Sequence, residues 1–91
     1  MWAYMVRCRD GSLYAGWTPD LEKRLAAHNA GTGAKYTRGR GPVHFAYARQ
    51  FETKSEAMVH EAALKRLSKA EKEKLAKAFG QSGAKPKTMS S

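Results

Sequence analysis

Hydrophobic positions fall in short blocks separated by turn-forming and charged residues. Trp2 to Cys8 opens with a continuous apolar and aromatic run, and Leu13 to Trp17 is again rich in β-compatible residues. Arg9-Asp10-Gly11-Ser12 between them has turn chemistry, which predicts a β-hairpin. Thr18-Pro19 reads as an N-cap followed by proline at the first helical position. Leu21 and Leu25, four apart, mark one face of a helix reaching about His28. Val43 to Phe51 alternates Val43, Phe45, Tyr47 and Arg49 against His44, Ala46, Ala48 and Gln50, the period of a strand with one aromatic face. Ser55 is placed to cap a second helix to about Leu67, and Ser68-Lys69-Ala70-Glu71 has the form of a capping box that starts a third, to about Phe79. The order β-β-α-β-α-α predicts an α+β fold, a three-stranded, mostly antiparallel sheet flanked by three helices.

Two stretches lack such a pattern. Asn29 to Pro42 holds four glycines, while Lys35, Arg38 and Arg40 bring positive charge and no acid, so it reads as a basic loop. Gly80 to Ser91 has one large apolar residue and nothing to offset the entropy of ordering. It is expected to be a disordered basic tail, leaving residues 1–79 as one domain.

The 91 residues suffice for one small core and exclude large deep pockets. Seventeen Lys and Arg against eight Asp and Glu leave a net charge of +9, a field that attracts polyanions. Nucleic acid is the commonest cytosolic one; ribosomes and anionic lipid share its chemistry. The single cysteine, Cys8, excludes an internal disulfide and a Cys-based zinc site, and is read as a buried, inert thiol. The N-terminal apolar run ends at Arg7, too short for a signal segment or a membrane span. A cytoplasmic monomer without membrane association is expected. Gly31 to Gly41 lacks the Gly-Lys-Ser/Thr ending of a phosphate loop, so nucleotide cofactors have no support. His44 and His60 have no partner at metal-ligand spacing and are read as non-ligands.

Three constellations carry candidate chemistry. Arg24 and His28 lie four apart beside the Leu21/Leu25 stripe; a guanidinium matches phosphate oxygens and an imidazole exchanges protons near neutrality. The plainer account is a solvated Arg and a helix-end His favoured by the macrodipole. Glu61 falls on an otherwise apolar side of its helix, between Ala57 and Leu64, and needs a partner: Lys65 at i+4 or a divalent cation. Trp2, Tyr4, Tyr14, Tyr36 and Tyr47 are interleaved with Arg7, Lys35, Arg38, Arg40 and Arg49, a combination suited to nucleic acid, with core packing the ordinary role of strand tyrosines. Gly16 permits a bulge or a close backbone approach.

Taken in order, Trp2-Ala3-Tyr4, Tyr14-Ala15-Gly16, Arg24, His28 and Glu61 resemble the GIY-YIG nuclease superfamily, over about Trp2 to Leu75. The small stand-alone YhbQ-like (UPF0213) group is most similar, through Asp10 to Tyr14, Arg24-Leu25, His28 to Gly31, Gly33 to Thr37 and Arg38-Gly39-Arg40. The resemblance implies a three-stranded antiparallel sheet with helices and metal-dependent hydrolysis of DNA phosphodiesters. It implies that Tyr14 orients or activates the attacking water, supported by Tyr4. Arg24 is implied to stabilise phosphoryl charge, and His28 to act as base or assist Tyr14. Glu61 is implied to hold the metal, Mg²⁺ or Mn²⁺. Lys35, Tyr36, Arg38, Arg40 and Lys65 are expected to hold the nucleic acid. Departures are Trp17, where several family nucleases have Lys, and the lack of a late Asn, since Asn29 is the only one.

The leading expectation is therefore a DNA endonuclease of repair or processing type. Its substrate selectivity is left to a partner protein, to DNA structure or to neither. The rival expectation is a nucleic-acid-binding module that keeps the scaffold with little or no turnover. A regulatory domain using its Ala-rich helices as a partner surface ranks third.

Overall fold

The computed structural model describes residues 1–82. Strands β1 (Trp2–Arg7), β2 (Leu13–Thr18) and β3 (His44–Gln50) form one antiparallel sheet in the order β2-β1-β3. Helices α1 (Leu21–Asn29), α2 (Lys54–Arg66) and α3 (Lys69–Ser82) complete the expected β-β-α-β-α-α order. Because β1 is the central strand, both its faces need covering, and Ala3, Tyr4, Met5 and Val6 are all fully buried. That is why its sequence is continuously apolar rather than alternating. Tyr4, Val6 and Cys8 pack with Leu21 of α1, Phe45 and Phe79 on one face. Ala3, Met5 and Ala15 meet Leu64 of α2 on the other.

Both α1 and α2 start elsewhere than expected. Thr18 is still paired with Trp2 in β2, so it stays extended; its Oγ1 accepts from the Asp20 amide at 3.1 Å, and Asp20 caps α1 by accepting from the Lys23 amide at 3.1 Å. Thr53, not Ser55, caps α2, because Glu56 three residues on completes a reciprocal capping box. The box between Ser68 and Glu71 forms as expected, with contacts of 2.9 and 3.1 Å.

The single aromatic face expected for β3 is split. Val6 opposes Phe45 while Met5 opposes Tyr47, so Ala46 is an extra residue in a bulge. The bulge reverses side-chain parity: Phe45 and Ala48 enter the Tyr4 face, and Tyr47 reaches α2, where its hydroxyl lies 2.9 Å from His60 Nε2. Helix α3 continues through Ser82, past its expected end near Phe79. With Phe79 anchored in the core, extending the helix adds a hydrogen bond per residue, and one glycine costs only about 1 kcal/mol against it. Residues 83–91, the rest of the expected tail, lie outside the described residues.

A helix-to-strand loop links α1 to β3 over the hairpin. Asn29 at the end of α1 accepts from the Val43 amide at 2.7 Å and donates to its carbonyl at 3.2 Å. Arg40 donates to Asp10 at 3.1 Å, and the Arg9 amide donates to the Arg40 carbonyl at 2.7 Å. The basic loop is thus clamped to the hairpin turn, beside the tyrosines of β1 and β2.

Candidate active site

The register of β1 and β2 sets two tyrosines on one face of the sheet. Tyr4 opposes Gly16 and Val6 opposes Tyr14, so Tyr4 lies across a position with no side chain. A Cβ at Gly16 would fall 2.5 Å from the Tyr4 hydroxyl oxygen. Gly16 therefore provides a close approach, and the bulge lies in β3 instead.

Facing Tyr4, α1 delivers Arg24 and His28. Arg24 Nε donates to the Tyr4 hydroxyl at 3.2 Å, and the same hydroxyl lies 2.8 Å from His28 Nε2. His28 Nδ1 lies 2.7 Å from Thr37 Oγ1, which in turn contacts the Ala34 carbonyl at 3.0 Å. Arg24 can only donate and the Ala34 carbonyl can only accept. With His28 neutral and its proton on Nδ1, Tyr4 accepts from Arg24 and donates to Nε2, while Thr37 accepts from Nδ1–H and donates to Ala34; the opposite tautomer would leave the Tyr4 proton without an acceptor among the described residues.

His28 is held firmly by this network: it is 1% exposed, and burial first, then the Arg24 charge, pull its pKa down to about 4. Both ring nitrogens are engaged within the fold, Nε2 at Tyr4 and Nδ1 at Thr37. Burial raises the Tyr4 hydroxyl above the ordinary tyrosine range against the opposing pull of Arg24, so Tyr4 stays protonated. Gly33 closes the other side, where a Cβ would fall 2.5 Å from His28 Nδ1 and 2.9 Å from its Cα.

Tyr14 differs from Tyr4. Its ring meets His28 edge-on at 5.7 Å and stacks on Tyr36 at 5.5 Å, yet its hydroxyl makes no hydrogen bond with any described residue. The terminal nitrogens of Arg24 are likewise without a described partner, only Nε being used. From α2, Lys65 sets its ammonium 5.7 Å from the Tyr14 ring centre and 3.8 Å from a Glu61 oxygen. Arg24 and Glu61 lie close enough for their charges to act on the Tyr4 hydroxyl, and Tyr14 lies beside it on the same sheet face, so the four residues gather at one place.

Glu61 sits as its spacing implied, between buried Ala57 and Leu64, its side chain 20% exposed. The Lys65 contact is long, and Glu61 accepts no hydrogen bond from a described residue, which leaves carboxylate lone pairs for a hard cation. No group of three or more metal-ligating side chains forms among the described residues, so a cation here would keep waters or substrate oxygens. His60, stacked against Tyr47, and exposed His44 are not in this cluster.

The basic loop divides into two kinds of residue. Lys35 and Arg38 are exposed and without a described side-chain partner. Arg40 is committed to Asp10 and the Tyr36 carbonyl, and its guanidinium lies 4.4 Å over the Tyr36 ring. Tyr36 thus contacts both Tyr14 and Arg40 through its ring. Sequence reasoning missed Thr37 as the anchor of His28 and Gly33 as its cover; a small residue and a hydroxyl in a glycine-rich loop give no periodic signal. Trp17 faces α2, with the Lys54 ammonium 5.2 Å from its ring centre.

No helix among the described residues is long and apolar enough to cross a membrane. The GIY-YIG catalytic domain profile matches residues 1–74. A UPF0213 protein of Halobacterium salinarum is 53% identical over 72 residues, which cover 79% of this chain and 94% of the relative. One from Clostridium perfringens is 54% identical over 71 residues, covering 78% and 76%. The solution NMR structure of a UPF0213 protein from Bacillus halodurans is 44% identical and superposes with a TM-score of 0.57, covering 88% of this chain and 85% of that one. A second NMR structure, from E. faecalis, gives 47% identity and a TM-score of 0.56, covering 87% and 84%. With its paired tyrosines, Arg24 and Glu61 gathered at one site, the chain belongs to the GIY-YIG family of nucleases, among the UPF0213 proteins.

Proposed function

We propose that this protein is a metal-dependent DNA endonuclease hydrolysing phosphodiester bonds. The observation that carries this reading is the division of labour between the two tyrosines: the Tyr4 hydroxyl is fully engaged and buried, whereas the Tyr14 hydroxyl has no described partner and is open to a water or a substrate oxygen. In this reading Tyr14 orients the attacking water. Arg24, held through Nε by Tyr4, directs its terminal nitrogens at the developing phosphoryl charge. Tyr4 and His28 are positioning residues for Arg24.

Glu61 is the residue that would hold Mg²⁺ or Mn²⁺, and such an ion supplies charge neutralisation at the phosphoryl group when bound. Lys35, Arg38 and Lys65 supply cations for the strand, and the net charge of +9 favours its approach.

The test is cleavage of labelled single-stranded, duplex and flap DNA with Mg²⁺ or Mn²⁺ by wild type, Arg24→Ala and Glu61→Ala, each shown folded by circular dichroism. Metal-dependent cutting that both substitutions abolish is expected. Salt-sensitive binding without cutting by wild type would replace the nuclease with a binding module on the same scaffold.

A further inference from the structure

Ser12, Leu13, Tyr36, Lys69 and Lys72 line an open cavity of about 210 Å³ between the hairpin turn and the start of α3. Its charge is unbalanced. The acids near its lining residues in sequence are already matched: Asp10 accepts from Ser12 and pairs with Arg40 at 3.1 Å, Glu71 accepts from the Ser68 amide at 2.9 Å, and Glu73 is held by both terminal nitrogens of Arg7 at 2.7 Å. Lys69 is near enough to Glu73 for their charges to interact, but Lys72 forms no ion pair with a described residue. Two lysines thus line a cavity with no acid among its lining residues.

Tyr36 joins this cavity to the tyrosine cleft, since one face of its ring lies on Tyr14. The Arg40 guanidinium also lies over this ring, 4.4 Å from its centre, so the stacking capacity of Tyr36 is already used within the fold. What remains is the chemistry of lysine, a hydrated point charge that attracts phosphate without reading base identity.

We propose that this cavity is a phosphate subsite: it holds a backbone phosphate of the DNA strand next to the phosphodiester in the tyrosine cleft, with Lys69 and Lys72 as its cations. The proposal rests on the nuclease reading for the strand's course past Tyr14. It makes the α2–α3 elbow, with Lys65, Lys69 and Lys72, one edge of the substrate track and predicts tolerance of base sequence there.

The experiment is binding of a short fluorescein-labelled single-stranded DNA of mixed sequence, followed by anisotropy in EDTA over a salt series. Wild type is compared with Lys69→Gln/Lys72→Gln and with Lys74→Gln/Lys77→Gln, which removes the same charge further along α3. Each phosphate contact contributes about 0.7 to the slope of log affinity against log salt for single strands. The first variant is expected to lose about 0.7 to 1.4 of slope, with the control close to wild type. Equal slope changes in the two variants, or none in either, would overturn the subsite. Failure of wild type to cut any DNA, with the slope difference intact, would instead remove the nuclease reading and leave the phosphate subsite standing.

Discussion

The Tyr4 hydroxyl donates to His28 Nε2 across 2.8 Å, and both residues are sealed within the fold. The contact is accompanied by an imidazole whose pKa is pulled down to about 4, a second contact that orients the ring, and two glycines that keep the surrounding backbone close. Each feature is open to experiment.

The His28 contribution to stability should depend on pH. Its folded pKa, about 4, lies below the ordinary value of 6.5, so between these values the unfolded chain binds more protons. Stability from this group is complete above pH 6.5 and is lost as pH falls toward about 4, up to roughly 3 kcal/mol. Thermal melts should show this decline in wild type and a shallower one in His28→Gln. An NMR titration placing the His28 midpoint near 6.5 would contradict it.

Tyr14→Phe and Tyr4→Phe should separate activity from stability. The Tyr14 hydroxyl has no described partner, so its removal should leave the melting temperature nearly unchanged while cutting cleavage by about two to four orders of magnitude. Removing the Tyr4 hydroxyl leaves buried His28 Nε2 without its donor, at a cost of about 1–3 kcal/mol. Single-turnover cleavage and urea denaturation of both variants read the two effects independently.

Thr37 is the far anchor of the imidazole. Thr37→Val removes the acceptor for Nδ1–H and the donor to the Ala34 carbonyl, with an expected loss of about 1–3 kcal/mol. Nitrogen-15 spectra of the His28 ring should report the proton on Nδ1 in wild type, a mixture in Thr37→Val, and recovery in Thr37→Ser.

Gly16→Ala and Gly33→Ala should each destabilise the fold by about 1–3 kcal/mol through overpacking. At Gly16 the new methyl meets the Tyr4 hydroxyl at 2.5 Å, and at Gly33 it meets the His28 ring at 2.5 Å and its backbone Cα at 2.9 Å. Denaturant midpoints unchanged from wild type would show that neither approach is as close as described.

Much of the fold was legible because its signals are local. The doubly buried β1 shows as a continuous apolar run, the hairpin turn as Arg9 to Ser12, and the start of α3 as Ser68 followed by Glu71. The cap of α1 was misplaced because pairing of Thr18 with Trp2, a long-range contact, outranked its own capping propensity. The bulge at Ala46 was invisible for a related reason: a strand's alternation carries no mark of where its partner's register slips.

The site divides along the same line. Residue types and spacing alone determined that Arg24 and His28 share a helical face, that Glu61 lies among apolar neighbours and that Tyr4 and Tyr14 belong to adjacent strands. Only the tertiary structure decided which tyrosine hydroxyl has no partner among the described residues, that His28 is neutral and buried, and that Arg40 pairs with Asp10 while Lys72 forms no ion pair with a described residue. Spacing specifies direction within one element, whereas burial and hydrogen-bond partnership depend on which other elements close over a residue, and those contacts are made between positions far apart in the chain.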